Sequence, residues 1–254
     1  MASIFDSDPF NQRLFFPRAD FRPPPPGAEE VLVEVPGARL HLRWHRSPGA
    51  RATLLLFHGN GEVVTEYDEA AERFAAVGLE LAVVDFRGYG ASTGTPTLRA
   101  AIDDAPRVLE ELLALGPKPV VVMGRSLGSA CAAQIYGSPA PAGLKGVVLE
   151  SGFVDLEAAI RRRGLQPPER FAEDELAEFD PLPKLARGRL PLLVLHGAED
   201  RSISPAEGRE AHDAAGGAPK TLVFVEGRGH NDISDSRAYW ESLDRFVRAV
   251  VPQE

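Results

Sequence analysis

The sequence predicts an α/β fold in which a doubly wound, mostly parallel sheet of eight strands carries a small helical lid insertion. Short apolar runs alternate with segments of helical periodicity from about residue 52 onward. This alternation is typical of a parallel sheet with helices packed on both faces. Two segments of alternating polarity precede it, and one long charged stretch interrupts it. The length of 254 residues suits a single large domain of this class.

Residues 1–28 are predicted to form an N-terminal arm, followed by the α/β domain at 29–254. Four consecutive prolines at 23–26 give the arm a stiff polyproline spacer. A free tail is the alternative, but disordered tails rarely carry so many aromatic residues. The apolar side chains that we expect to pack against the domain are Phe10, Leu14, Phe15, Phe16 and Phe21.

The sheet is predicted to begin with a hairpin of residues 31–35 and 39–44, joined by Pro36-Gly37. Continuous apolar runs predict the other strands at 52–57, 79–84, 120–123, 147–149, 190–195 and 221–225. Helical spacing predicts helices at 67–77, 98–115, 127–136, 205–215 and 237–250.

The stretch from about 155 to 189 is too long and too charged for a plain connection between strands. We interpret it as the lid, lying over the carboxyl edge of the sheet. Its three consecutive arginines at 161–163 could recognise an anionic substrate, although a solvated helix face is the simpler interpretation.

The segment most informative about chemistry is 120–129, VVVMGRSLGS. A predicted strand runs into the pattern G-x-S-x-G, and a helix of small residues follows. In α/β-hydrolases this pattern places the serine on a sharp, strained strand-to-helix turn, where residues larger than Gly124 and Gly128 would collide with the chain. The turn exposes the hydroxyl and directs the first helix amides toward the same space. Ser126 is therefore the predicted nucleophile.

A serine hydroxyl needs an adjacent base to remove its proton. The chain has six histidines, and the order serine, acid, histidine that α/β-hydrolases follow leaves His196, His212 and His230 as candidates. His230 lies in a glycine-rich loop after the last predicted strand, at the sheet edge expected to carry Ser126. It is the predicted base, whereas we expect a structural role for His196 and a surface position for His212.

The predicted acid is Asp200, in the segment HGAEDR that follows the preceding strand. An aspartate there would accept the second ring N–H of His230, fix its tautomer and stabilise the imidazolium. Glu199 and Asp232 are the rivals. Asp232 follows the histidine, against the expected order, and we expect it to cap the next helix.

The predicted oxyanion hole uses the strand that ends in FHGNG at 57–61. In α/β-hydrolases one oxyanion donor comes from the loop after this strand and the other from the residue after the nucleophile. We assign them to the backbone amides of Asn60 and Leu127, with Gly61 as the alternative to Asn60.

Several segments together resemble the α/β-hydrolase branch that includes eukaryotic protein depalmitoylases and uncharacterised bacterial hydrolases. The resemblance covers roughly residues 50–250. It implies that Ser126, Asp200 and His230 are catalytic and that the chain transfers an acyl group to water. The segments are FHGNGE at 57–62, DFRGYGASTG at 85–94, GRSLGS at 124–129, LESGF at 149–153, FDPLPKL at 179–185, LHGAEDRSIS at 195–204 and VEGRGHNDI at 225–233.

Composition excludes other classes of function. Lys and Arg total 28 against 37 Asp and Glu, a net charge of −9, whereas a nucleic-acid binder needs a basic face. The single cysteine, Cys131, forms no disulfide within the chain. No signal peptide and no apolar run of membrane-spanning length is apparent. We therefore expect a cytoplasmic location.

No cofactor is expected. The glycines at 88–94 have one residue too many for the dinucleotide pattern G-x-G-x-x-G, and no phosphate-binding G-x-x-x-x-G-K-[ST] occurs. The sequence also lacks H-E-x-x-H, and it has a single thiol, so no metal site is predicted.

The predicted function is hydrolysis of carboxylic esters or thioesters of a small or acylated substrate, through an acyl-enzyme on Ser126. One alternative is a peptidase or amidase acting on short acylated peptides. The acidic residues of the insertion, which could bind an N-terminal amine, are Glu173, Asp174, Glu175 and Glu178. A non-catalytic binding scaffold is the other alternative, but such proteins usually lose a member of the triad.

Overall fold

A computed structural model of the chain describes residues 3–252. Its eight-stranded sheet has the order β1-β2-β4-β3-β5-β6-β7-β8. The first two strands form an antiparallel hairpin, β2 pairs antiparallel with β4, and the remaining pairs are parallel. The strands are β1 Ala28–Val35, β2 Ala38–His45, β3 Ala52–Phe57, β4 Leu79–Val84, β5 Val120–Arg125, β6 Leu144–Glu150, β7 Leu192–Gly197 and β8 Lys220–Val225.

Helices cover both faces of the sheet, as the apolar runs predict. One face packs against α2 and α9, and the other against α3, α4, α7 and α8. The helices are α1 Asp8–Leu14, α2 Ala71–Ala76, α3 Leu98–Leu115, α4 Ser129–Gly137, α5 Leu156–Arg162, α6 Glu173–Phe179, α7 Pro181–Arg187, α8 Pro205–Ala214 and α9 Arg237–Val250. The predicted doubly wound sheet is confirmed.

Side-chain alternation along β3 shows why five of its six residues are apolar. Leu54 and Leu56 lie in the core beneath α2 and α9, whereas Leu55 and Phe57 lie in the core beneath α3 and α4. Successive residues of a strand point to opposite faces, so nearly every position of a strand covered on both sides is apolar.

Two predicted helices differ in detail from the structure. The predicted helix 67–77 is a 3₁₀ turn, Val64–Tyr67, followed by the shorter α2. The predicted helix 127–136 begins with a 3₁₀ turn, Ser126–Gly128, before α4. Helices α3 and α9 begin and end at the predicted residues.

The N-terminal arm consists of a 3₁₀ turn, Ile4–Asp6, and helix α1, followed by an extended segment. Phe10, Leu14 and Phe15 are buried. The expectation for Phe16 and Phe21 was wrong, because these side chains are 55% and 77% exposed. Beyond Phe15 the arm runs along the surface, where the Phe16 amide donates hydrogen bonds to the domain while its ring faces outward.

The insertion at 155–189 contains α5, α6 and α7. Helix α7 packs on α4 and α8 of the main domain. Phe171 in the loop before α6 and Phe179 at the end of α6 both pack on the arm. The centroids of their rings lie 5.8 and 4.6 Å from that of Phe5. The arm and the insertion therefore form one continuous apolar layer at the carboxyl edge of the sheet.

Candidate active site

Strand β5 delivers Ser126 into a turn that only small neighbours allow. Ser126 has a φ of 50°, in the left-handed region that side chains rarely adopt. A Cβ on Gly124 would lie 2.4 Å from the carbonyl oxygen of Gly128, and one on Gly128 would lie 2.0 Å from that of Phe57. The glycines of G-x-S-x-G are thus required by close backbone approach. A strained, non-glycine backbone of this kind is typical of functional sites.

The structure brings Ser126, His230 and Asp200 together in one line of hydrogen bonds. Nε2 of His230 lies 2.9 Å from Oγ of Ser126, and Nδ1 lies 2.7 Å from Oδ2 of Asp200. His230 follows β8 and Asp200 follows β7, so all three reach the same carboxyl edge of the sheet. This geometry lets the ring accept a proton from the hydroxyl while the carboxylate accepts the other ring N–H.

Asp200 is held as a carboxylate by its surroundings. Its Oδ1 accepts hydrogen bonds from the amides of Ser202 and Ile203 at 2.8 and 2.9 Å. Burial raises the pKa of Asp200, but hydrogen bonds with His196, His230 and the Ile203 amide outweigh burial and hold it well below its usual range.

His196 contacts the same carboxylate from the other side. Its Nε2 lies 3.3 Å from Oδ2 of Asp200 and 3.0 Å from the carbonyl oxygen of Ile203, and the ring is fully buried. His212 is half-buried on α8 beside Asp213. Sequence reasoning anticipated a structural role for His196 but not its contact with Asp200.

The two rival acids lie elsewhere. Glu199 is exposed. Oδ1 of Asp232 accepts a hydrogen bond from the Gly229 amide at 2.7 Å, inside the histidine loop. Asp232 does not cap the following 3₁₀ turn with its side chain, so that expectation was wrong. Instead it stabilises the loop that carries His230.

The loop after β3 is tied to the arm through Asn60. Its Oδ1 accepts hydrogen bonds from the Tyr89 hydroxyl at 2.8 Å and from the Phe16 amide at 3.1 Å. Asn60 and Leu127 line the same cavity as Ser126. Gly61 does not line this cavity, which leaves Asn60 as the better candidate for an oxyanion donor.

An ion-pair network beside the nucleophile was missed by sequence reasoning. Arg125 pairs with Glu62, and its Nε lies 3.1 Å from Oε1 of Glu150. Its Nη2 donates to Oδ1 of Asn231 at 3.0 Å. One guanidinium therefore links the β3 loop, strand β6 and the histidine loop. The one available signal was the arginine at the first variable position of G-x-S-x-G.

The site opens into a cavity of about 470 Å³. Arm, insertion and acid loop all contribute to its walls, so the arm is part of the site. The apolar lining residues are Phe5, Phe10, Leu14, Leu98, Leu127, Phe153, Leu156, Ala159 and Ile203. The polar and charged ones are Asn60, Glu62, Arg125, Ser126, Arg162, Arg163, Arg201, Ser202, His230 and Asn231.

The described residues contain neither a metal-binding cluster nor a helix that could span a membrane. Across residues 3–252, no group of three or more His, Cys, Asp or Glu side chains is arranged to hold a metal ion. Over the same residues, no helix has the length and apolar character needed to cross a bilayer.

Comparison with known sequences identifies the protein family of the chain. The sequence model of the family described as serine aminopeptidase, S33, matches residues 48–181. An uncharacterized protein of Mycobacterium tuberculosis is 31% identical over 232 residues, which cover 87% of this chain and 80% of that protein. Human alpha/beta hydrolase domain-containing protein 17C is 29% identical over 223 residues, which cover 81% of this chain and 61% of that protein.

Solved structures share the fold. The Pyrococcus furiosus esterase Pf2001 superposes with a TM-score of 0.70 at 17% identity, over 88% of this chain and 93% of that one. Esterase 2 of Thermogutta terrifontis gives a TM-score of 0.64 at 23% identity, over 91% and 96%. The predicted resemblance is confirmed: the chain is a hydrolase of the α/β-hydrolase superfamily and belongs to the serine aminopeptidase S33 family.

Proposed function

We propose that the chain is a serine hydrolase that cleaves carboxylic esters or thioesters through an acyl-enzyme on Ser126. The observation that carries the proposal is the pair of hydrogen bonds, 2.9 and 2.7 Å, that joins Ser126 to His230 and His230 to Asp200. They lie at the wall of a cavity whose apolar lining residues, among them Phe153, Leu156 and Ile203, suit an acyl chain.

In the proposed reaction, Oγ of Ser126 attacks the acyl carbonyl while Nε2 of His230 takes the hydroxyl proton. The backbone amides of Asn60 and Leu127 stabilise the oxyanion of the tetrahedral intermediate. His230 then gives the proton to the leaving alcohol or thiol, and the acyl group stays on the serine. Water, deprotonated by the same histidine, releases the carboxylic acid and regenerates the serine.

The lowered pKa of Asp200 supports its assigned role. A carboxylate that stays ionised throughout the neutral range accepts the Nδ1 proton of His230 and stabilises the imidazolium formed in each half-reaction. The contact from His196 fixes the orientation of that carboxylate.

The charge of the cavity favours an ester or thioester over a peptide with a free N-terminal amine. Such an amine needs an unpaired carboxylate, and Glu62, the one carboxylate in the described lining, is paired with Arg125. A peptidase was considered because α6 is rich in acidic side chains. None of these side chains lines the cavity: Glu173, Asp174, Glu175 and Glu178. The complete triad, in turn, argues against a binding scaffold.

Hydrolysis of p-nitrophenyl esters from acetate to decanoate, by wild type and Ser126→Ala, tests the proposal. We expect turnover by the wild type and a loss to the uncatalysed rate in the variant, with an unchanged circular dichroism spectrum. Turnover that survives in Ser126→Ala would overturn the assignment of the nucleophile. The chain-length profile would report how much of the cavity the acyl group fills.

A further inference from the structure

The cavity around Ser126 has a charge opposite to that of the whole protein. The chain has a net charge of −9, yet four arginines and a single carboxylate line the cavity: Arg125, Arg162, Arg163, Arg201 and Glu62. A cleft of one sign inside a protein of the other sign concentrates field lines on what enters it. The catalytic triad does not explain why so many arginines line this cavity.

Two of the four arginines have carboxylate partners. Arg125 pairs with Glu62 and Glu150, and Nη1 of Arg162 lies 2.7 Å from Oε1 of Glu207. Within residues 3–252, neither Arg163 nor Arg201 forms an ion pair with a carboxylate. The surplus positive charge of the cavity thus lies on these two side chains.

Arg163 is half-buried. It follows α5, whose residues Leu156 and Ala159 also line the cavity, so three positions on one helix face meet the same space. Its carbonyl oxygen accepts a hydrogen bond from Arg13 of the arm at 3.3 Å. Burial, with a contribution from Arg162, lowers the pKa of Arg163. A half-buried cation without a counter-charge costs free energy, which a bound anion would offset.

We propose that the natural substrate carries an anionic group, a carboxylate or a phosphate, that binds to Arg163 and Arg201 while the acyl carbonyl lies at Ser126. A planar guanidinium binds either anion through paired N–H donors, with more directional specificity than an ammonium. This inference deepens the proposed serine-hydrolase function and rests on it. The apolar wall holds the acyl chain, and the two arginines select the charge.

Two matched pairs of esters measure how strongly the enzyme prefers a substrate with an anionic group. Mono-4-nitrophenyl glutarate against 4-nitrophenyl valerate places a carboxylate on the acyl chain. The butyrate ester of 4-hydroxyphenyl phosphate against phenyl butyrate places a phosphate on the leaving group. The quantity compared is the ratio of kcat/KM for the charged ester to that for its uncharged partner, after subtraction of the uncatalysed rate.

We expect Arg163→Gln to lower this ratio about 10- to 100-fold for the pair that matches the substrate, the range for losing a charged hydrogen bond. Raising the salt concentration should lower the wild-type ratio as well. Arg161→Gln is the matched control, because Arg161 is an exposed neighbour on α5 that pairs with Glu157 at 2.8 Å and does not line the cavity. Its ratio should equal that of the wild type.

A binding measurement separates this inference from the proposed function. Glutarate and phenyl phosphate are titrated by calorimetry into Ser126→Ala and into Ser126→Ala combined with Arg163→Gln. Tighter binding of either anion to the single variant supports the anion site even if no ester is turned over, a result that would overturn only the hydrolase proposal. Ester turnover with equal ratios in wild type and Arg163→Gln, and equal anion affinities, would overturn the anion site.

Discussion

Arg125 and Glu62 form an ion pair that joins the residue before Ser126 to the loop expected to supply an oxyanion donor. Oε2 of Glu62 also accepts hydrogen bonds from the Gly59 amide at 2.7 Å and from the Tyr67 hydroxyl at 2.6 Å. Glu62 therefore sets the position of the backbone next to Asn60 without touching the reacting atoms. It is a positioning residue.

Replacing Glu62 with glutamine tests this relationship. The amide keeps the shape of the side chain but removes the charge opposite Arg125, so we expect the β3 loop to shift. Displacement of an oxyanion donor by a fraction of an ångström lowers kcat about 10-fold to 100-fold while KM changes little. Glu66→Gln, on the surface beside Arg18, is the control and should be as active as wild type. Equal losses in kcat and gains in KM would indicate a general structural role.

Asp200→Asn should lower kcat about 10³- to 10⁴-fold, because the amide stabilises the wrong ring tautomer and offers no charge to the imidazolium. Steady-state hydrolysis of a p-nitrophenyl ester measures the loss. Asp232→Asn provides the comparison, since this carboxylate contacts the Gly229 amide and not the ring. If Asp200→Asn were nearly fully active and Asp232→Asn inactive, the acid would be misassigned.

The arm should contribute to stability through Phe10 and not through Phe21. Phe10 is 1% exposed and packs edge-on against Phe5, with ring centroids 5.3 Å apart, whereas Phe21 is 77% exposed. We expect Phe10→Ala to lower the free energy of unfolding by about 3–5 kcal/mol and Phe21→Ala to change it by less than about 0.5 kcal/mol. Urea denaturation measures both. Equal effects would mean that the arm does not pack as described.

Because Lys184 is buried, we predict that the free energy of unfolding depends on pH above neutrality. Its side chain is buried, and burial lowers its pKa from 10.5 to about 8. Between those values the unfolded chain binds more protons than the folded protein, so the free energy of unfolding gains a contribution that rises with pH. Below pH 8 both states are protonated and the full cost of burying the ammonium remains.

Lys184→Met should remove this rise and stabilise the protein at pH 7 by about 2 kcal/mol, after allowing for the lost hydrogen bond to the Glu178 carbonyl. Lys145→Met, at an exposed position of β6, should keep the rise. Unfolding curves at several pH values from 7 to 10.5 give the free energy of unfolding of the wild type and of both variants. Parallel pH profiles for wild type and Lys184→Met would contradict the prediction.

The sheet was predictable because it is covered on both faces. Each strand from β3 to β7 contains a run of at least three successive apolar residues, which is visible in the sequence. Helix α3 was equally clear, since Thr97 caps its start by accepting a hydrogen bond from the Ala100 amide at 3.0 Å. The positions of Ser126, Asp200 and His230 followed from the same logic, because each ends or follows a parallel strand.

The remaining features depend on contacts between residues far apart in the chain. Arg125 meets Glu62, Glu150 and Asn231, which come from three different elements, and no local pattern encodes that meeting. Phe15 and Phe16 are chemically identical neighbours, yet one is buried and the other exposed, because the direction of the backbone decides between them.

The assignment of Ser126 as an activated nucleophile is tested by intact-mass spectrometry after incubation with a fluorophosphonate. Activated serines form a stable phosphonyl adduct, and ordinary hydroxyls do not. We predict one adduct per wild-type chain and none on folded Ser126→Ala. A folded wild-type protein that gains no adduct, or a Ser126→Ala protein that gains the same adduct, would contradict the claim.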